Sequence, residues 1–401
     1  MPRGCTILLM MAFGLTFAGT ASAAGLSQDL RRSARALGPQ ASLHVTDARG
    51  TSVVSVRANV PRAPASTAKL LTAAAALQDL GAATRLQTSV TTTSTIDTAG
   101  LLRGNLIVRG GGDPLFGTPP FTSTTALADA VVGAGIRRIE GSVLGDGTLF
   151  DGLRGRLGVA FDPEVGGALG GLTFHRGRQA ADGPVQPDPD RAAAAAFDDA
   201  LEARGVVITG RPQAALTPGT GQPIASAASP DVRTMLGLML RTSDNFIAEM
   251  LAKRIAVAQA PPGTTAAGAT RIAGLAQRAT GRMVTLIDGS GLDPRSRVTA
   301  RQLVIILRRL AAAGLDRELP TGGQGTLTDR LTTAPAAGRC RMKTGTLPDH
   351  DVSALAGRCR TLRGRTLYFA LLTRGDIATM RRVQDRLVQI IAADRRSSRR
   401  R

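Results

Sequence analysis

The periodicity of this chain changes character twice, and the two breaks limit the folds open to it. Up to Leu80 the pattern is helix and short strand. Residues 26–37 have helical spacing, 42–46 and 53–57 read as strands around the turn Asp47-Ala48-Arg49-Gly50, and an Ala/Leu-rich helix opens at Ser66. From Gly81 the pattern becomes Thr/Ser-rich and alternating, and the helical pattern returns only at Ser229. This predicts one domain written in two parts, 24–80 and 229–392, with a strand-containing domain, 81–228, inserted between them. A chain of 401 residues suits two lobes.

Within the insertion, 86–95 and 105–109 read as strands. Gly110-Gly111-Gly112-Asp113-Pro114 is a tight turn, and a phosphate-loop reading fails because no Gly-Lys-Ser/Thr follows it. Residues 147–177 are rich in glycine, 182–190 form a Pro/Asp linker, and 191–204 a helix. Beyond it, Ser229-Pro230 is expected to start a helix ending near Arg241. Further helices are expected at 246–257 and 299–313. Residues 339–347, 352–360 and 365–373 are three strands of an antiparallel meander, followed by a helix at 377–392. With no Trp and one Tyr, Tyr368, the core must be built from Ala, Val, Leu and Ile.

The first 23 residues read as a secretory signal. Arg3 supplies the charge, 7–17 the apolar run and Ala21-Ser22-Ala23 a small-residue cleavage site. The run is short for a membrane span, so no stable span is expected after cleavage, and the protein is expected to be secreted and to work outside the cytoplasm. An uncleaved anchor is the alternative. Residues 393–401 read as a basic, disordered tail. The formal charge of +20 fits either a polyanionic partner or plain Arg-rich composition with solvated faces. Nucleic acid fits poorly, because the arginines are scattered and no aromatic stacking segment accompanies them. Cys340 and Cys359 would face each other across the hairpin, since 340 and 359 have the same sum as 347 and 352. In an exported protein this predicts a disulfide, with two free thiols as the alternative. His44, His175 and His350 are isolated and no Cys/His cluster has metal spacing, so neither metal nor cofactor is expected.

Of fifty basic residues only Lys69, Lys253 and Lys343 are lysine. Arginine keeps its proton under ordinary conditions, whereas a desolvated lysine can lose it and act as a base. Lys69 ends Ser66-Thr67-Ala68-Lys69, where helical spacing puts the amine within reach of the serine hydroxyl. Lys343 opens Lys343-Thr344-Gly345-Thr346 on a strand. There Gly345 is expected to let a substrate approach the backbone closely. Ser243-Asp244-Asn245 sits between two helices, where a hydroxyl can relay a proton and an amide can hold Lys69 or a carbonyl. Each motif alone reads equally as a helix cap or an edge strand with a solvated lysine. Lys253 matches no motif and is expected to be dispensable.

Together and in this order the three motifs form the set of serine β-lactamases and penicillin-binding proteins. The segments Val108-Arg109-Gly110-Gly111-Gly112-Asp113-Pro114, Asn245-Phe246-Ile247-Ala248-Glu249 and Asp288-Gly289-Ser290-Gly291-Leu292 extend the resemblance over nearly the whole mature chain. The chain resembles the class C low-molecular-mass penicillin-binding proteins, which are D-alanyl-D-alanine carboxypeptidases. The resemblance implies an α/β (α+β) transpeptidase-like domain with an antiparallel sheet flanked by helices, split by an insertion after the Ser66 helix. It implies a peptidoglycan peptide as substrate and β-lactams as inhibitors, and leaves endopeptidase action on cross-links and the oligomeric state open.

The resemblance also implies roles. Ser66 attacks the carbonyl, Lys69 is the base and Ser243 relays the proton to the leaving D-alanine. Backbone N–H groups of Ser66 and Thr346 form the oxyanion hole. Thr344 and Thr346, helped by Lys343, hold the terminal carboxylate, and Asn245 positions Lys69 and the substrate amide. A serine β-lactamase or an esterase of the same fold is the near rival, although no Glu-x-x-Leu-Asn stretch lies between Ser66 and Ser243. A non-catalytic basic protein that binds cell-wall polymers is the rival of another class.

Overall fold

The computed structural model describes residues 23–121, 123–156, 161–178, 181–215 and 221–395. Most of the expected signal, with Cys5, and the arginine-rich end of the tail lie outside the described residues. Helix α1 (Ala23–Arg35) leads into strands β1 (Ala41–Asp47) and β2 (Ser52–Val56). A 3-10 turn, Ala65–Ala68, then runs into helix α2 (Lys69–Asp79). The single helix expected from Ser66 is therefore two pieces. Ala65 has a left-handed φ of 46°, and the turn tightens onto Pro64 before α-helical geometry begins.

The chain then builds a second set of sheets. In order come β3 (Arg85–Thr92), β4 (Leu101–Leu102), β5 (Leu106–Arg109), α3 (Thr124–Gly133), β6 (Arg138–Ile139) and β7 (Val143–Asp146). They are followed by α4 (Pro189–Glu202), β8 (Val207–Ile208), β9 (Gln213–Ala214) and β10 (Gln222–Asp231). Five strands lie in the order β10-β3-β5-β7-β9, with β5, β7 and β9 parallel, and β4-β6-β8 make a short parallel sheet. Helices α3 and α4 cover these sheets through Leu127, Val131, Ala193 and Phe197.

Strand β10 extends to Asp231, whose carboxylate accepts from Thr234 N at 2.9 Å and caps α5 (Val232–Thr242). The helix expected from Ser229-Pro230 thus starts later. Ser229 and Pro230 still belong to the strand, and Ser229 Oγ accepts from Leu86 N at 2.8 Å. Helices α6 (Asn245–Val257), α7 (Thr265–Thr280) and α8 (Ala300–Ala312) follow. Sequence reading did not identify α7, whose Ala/Gly-rich sequence hides its periodicity. The reason for one glycine is close packing: a Cβ on Gly268 would stand 2.2 Å from Ala252 O of α6.

The last segment supplies β11 (Cys340–Leu347), β12 (Val352–Arg360), β13 (Thr366–Arg374) and α9 (Ile377–Ala392). These strands pair with the first two in the antiparallel order β11-β12-β13-β1-β2, so both ends of the chain share one sheet. Ala354, Ala356, Ala370 and Leu372 face a helical layer that includes α2, α5, α6, α7 and α8. Leu355, Leu367, Phe369 and Leu371 face α1 and α9 on the other side. Small residues on the first face admit a broad helical layer that is itself built of Ala and Leu. The result is an α/β fold with a helix–sheet–helix sandwich. Its β11 is an edge strand.

Cys340 pairs with Cys359 across β11 and β12, and the two form a disulfide spanning 19 residues. A loop of that size implies about 3 kcal/mol of stabilisation in the chain-entropy picture. Replacing both cysteines by serine should lower the urea midpoint accordingly, and wild-type protein in reductant should behave like the double variant. Identical midpoints for wild type with and without reductant would contradict this.

Candidate active site

The turn at Ala65–Ala68 puts Ser66 at the surface and Lys69 beneath it. Ala65 is buried with positive φ, an unusual conformation for a residue with a side chain. Its carbonyl sits where a side chain of Gly291 would have to go, 2.0 Å from an ideal Cβ, and Gly291 has φ +83°. The loop 288–292 is thereby pressed against the serine turn. Asp288 holds this loop in shape by accepting from Gly291 N and Asp293 N, both at 2.7 Å.

Lys69 is fully buried. Its Nζ donates to Ser66 Oγ at 3.0 Å, to Asn245 Oδ1 at 2.6 Å and to Ser290 O at 2.8 Å. Burial pulls its pKa down to about 8, against the opposing pull of Glu249, Asp288 and Asp244. Glu249 is itself buried and shifted upward by burial and by Asp288. Its Oε1 accepts from Ser290 N at 2.7 Å, and its Oε2 has no protein partner. A carboxyl held closer to its neutral form pulls less on the lysine's proton than an ionised one would.

Ser243 ends α5 in the left-handed region, with φ 64°, and Asp244 caps α6 by accepting from Ile247 N at 2.9 Å. The sharp reversal between the two helices brings Ser243 and Asn245 to one point. Lys343 Nζ donates to Ser243 Oγ and to Thr344 O, both at 2.8 Å. Its side chain is fully buried, and burial together with the charge of Lys69 pushes its pKa well below the ordinary lysine range.

Ser66, Ser243, Thr344, Gly345 and Thr346 line one cleft of about 510 Å³, together with Thr326, Asp329, Arg330 and Arg381. Lys69 and Lys343 stand behind its wall rather than in it. The Lys343 amine is turned toward Ser243, whose side chain lines the cleft. The close approach at Gly345 is made by the protein itself, since a Cβ there would stand 2.9 Å from Pro64 O and 3.0 Å from Ser66 N. Glycine is needed to seat the Ser66 turn on β11.

Several residues around the site have no local sequence signal. Asn245 Nδ2 donates to Glu164 O at 2.8 Å, and Arg176 pairs with Asp244 while stacking over Phe246. Arg156 lies 3.2 Å from Asp288. Thr326 Oγ1 bonds Thr344 Oγ1 at 2.7 Å, and Arg381 Nη2 donates to Thr346 Oγ1 at 3.0 Å. Away from the site, His44 is buried and bonded to Ser55 Oγ at 2.8 Å, a structural role. Lys253, which matches no motif, has a structural place of its own. It is fully buried, paired with Asp151, and donates to Leu153 O at 2.8 Å.

A buried serine–lysine pair, a second serine–lysine pair and an edge strand around one cleft define a serine hydrolase of the penicillin-recognising fold. The D-Ala-D-Ala carboxypeptidase 3 (S13) family model matches residues 26–164 and 178–394, and the chain belongs to that family. The carboxypeptidase DacB of Mycolicibacterium smegmatis is 31% identical over 387 residues, covering 86% of this chain and 79% of that protein. The crystal structure of penicillin-binding protein 4 from Haemophilus influenzae superposes with a TM-score of 0.74 at 21% identity, over 91% of this chain and 98% of that one. The penicillin G-acylated Bd3459 predatory endopeptidase of Bdellovibrio bacteriovorus superposes at 0.52 and 18%, over 88% and 90%. These last two matches speak to the fold. The protein is a serine-type D-Ala-D-Ala carboxypeptidase, a hydrolase.

Removing one partner of a buried ion pair leaves the other charge uncompensated, at a cost of about 3 kcal/mol. Lys253→Met should therefore lower the denaturation midpoint by a corresponding amount and leave the acylation rate of the folded fraction unchanged. An unchanged midpoint would restore the expectation that Lys253 is dispensable.

Proposed function

We propose that Ser66 is the nucleophile, Lys69 its general base and Ser243 the relay that protonates the departing D-alanine. The hydrogen bonds of Lys69 carry this reading. Asn245 Oδ1 and Ser290 O are acceptors only, and the amide of Asn245 is oriented by its bond to Glu164 O. A neutral amine has two protons, and those two acceptors take both. The lone pair is left facing Ser66 Oγ, as a base for that hydroxyl requires. With a pKa of about 8, about one lysine in ten is neutral at pH 7, against roughly one in a few thousand for a free lysine.

The proton that Lys69 takes from Ser66 goes on to the leaving nitrogen through Ser243: its hydroxyl gives its own proton to that nitrogen and is reprotonated by the Lys69 ammonium, while Lys343 holds Ser243 Oγ in place. Water later releases the acyl group from Ser66. The oxyanion hole is formed by the backbone N–H groups of Ser66 and Thr346. Met342 N donates outward to Pro320 O, so Thr346 N, four residues on, points out from the same sheet edge toward the cleft. The hydroxyls of Thr344 and Thr346 hold the carboxylate of the terminal D-alanine, and Asn245 holds the acyl-side amide. The disulfide Cys340–Cys359 braces the strand that carries this wall.

Residues 1–23 are proposed to export the protein, so that it meets peptidoglycan outside the cytoplasm. Among the described residues no helix is long and apolar enough to cross a membrane. Residues 81–228 are proposed to act as an inserted domain whose 147–177 segment steadies Asn245 and Asp244. β-Lactams are proposed to acylate Ser66, as penicillin G does in the Bd3459 endopeptidase, and cross-linked peptides are proposed as further substrates.

Incubation with benzylpenicillin should add one drug mass to the intact protein, on the peptide carrying Ser66, and Ser66→Ala should take up none. An adduct mapped to any other residue would sink the assignment. The acylation rate should climb about tenfold per pH unit below pH 8 and level off above it, as Lys69 loses its proton. Lys69→Arg should lower that rate by about 10³-fold, because arginine cannot be neutralised. A flat profile between pH 6 and 9 would exclude Lys69 as the titrating base.

A further inference from the structure

A substrate that ends in D-alanine carries a carboxylate into the cleft, and that charge needs a cation to meet it. Lys343 is fully buried and stands behind the cleft wall, it donates to Ser243 Oγ and Thr344 O, and burial beside Lys69 pushes it toward its neutral form. Arg330 lines the cleft but is already matched. Its Nε and Nη2 bond both oxygens of Asp385, the shortest contact being 2.6 Å, and Nη2 also reaches Gln384 Oε1 at 3.2 Å.

Arg381 is different. It sits near the start of α9, lines the cleft and is exposed to solvent. Its Nη2 donates to Thr346 Oγ1 at 3.0 Å. It forms no ion pair with a described residue, including Asp329, which shares the cleft wall. A guanidinium bonded to the hydroxyl proposed to hold the carboxylate lies within reach of that carboxylate. Its other N–H groups are available for a bidentate contact.

We infer that Arg381 is a specificity-determining residue, the cation that recognises the free carboxylate of the substrate's terminal D-amino acid. The inference rests on the cleft being the carboxypeptidase site proposed above. It assigns charge recognition to the C-terminal helix rather than to the lysine of β11. Thr346 then serves two partners: its hydroxyl hands the carboxylate to Arg381, and its N–H remains for the oxyanion.

The test separates charge recognition from positioning of Thr346. Second-order acylation constants are measured by intact mass for benzylpenicillin and for its methyl ester, which lacks the charge. They are compared in wild type, Arg381→Ala, Arg381→Lys and the neighbouring control Arg382→Ala. Arg381→Ala should lower the benzylpenicillin constant about 10- to 100-fold, the usual size of a lost hydrogen bond to a charged group. The methyl ester should be unaffected within about twofold. Arg381→Lys should recover part of the loss, and Arg382→Ala should match wild type. With a peptide ending in D-Ala-D-Ala, KM should rise while kcat holds. Equal losses for acid and ester would reduce Arg381 to a support for Thr346, and no loss for either would remove it from the site. If wild type took up neither compound on Ser66, the underlying site assignment would fall, and this inference with it.

Discussion

The site depends on one desolvated amine. Lys69 joins three parts of the chain that are far apart in sequence: the serine turn, the start of α6 and the loop 288–292. Burial alone would drive a lysine neutral and leave its protons unplaced. Here two carbonyl-type acceptors fix their direction, and the surrounding carboxylates stop the pKa from falling too far. Burial and acidity therefore work against each other, and the balance leaves the group near the pH at which a base is useful.

The glycine-rich segment 147–177 belongs to this balance. Glu164, Arg156 and Arg176 come from the glycine-rich stretch: Glu164 O holds Asn245, Arg176 pairs with Asp244 beside Ser243, and Arg156 pairs with Asp288, which shapes the loop whose Ser290 O accepts from Lys69. The glycines let the backbone fold tightly there: a Cβ on Gly167 would stand 2.9 Å from the Phe246 ring. A stretch without periodicity comes to hold Asn245, Asp244 and Asp288 in place because it supplies a carbonyl and guanidinium groups, not because it forms an element of its own.

Much was legible in the sequence where the signal is local. The β11–β12 register followed from a symmetric hairpin, and Cys340 does lie opposite Cys359. The three motifs do converge on one cleft, because the spacing of Ser66 and Lys69 and the turn at Ser243 are short-range properties. What escaped notice depends on partners distant in the chain. Helix α7 hides behind Ala and Gly because α6 lies so close to Gly268. Glu249 and Asp288 sit in segments recognised as family-like, but their effect on Lys69 arises only once the loop 288–292 folds under α2. The burial of Lys343 against Ser243 is likewise a matter of packing, which alternation along a strand cannot reveal.

The edge strand has one more consequence. An uncovered sheet edge ordinarily invites another protein's strand to pair with it. In β11 the edge is closed at one end, where Pro320 O takes Met342 N and Thr321 bridges Arg341. At the other end Pro348 turns the chain away after Leu347. What stays open is the stretch Thr344–Thr346, roughly 10 Å of strand. An opening that short matches an extended dipeptide end and gives a foreign sheet almost nothing to hold. The gap proposed to admit substrate therefore also leaves a second copy of the enzyme little edge to pair with.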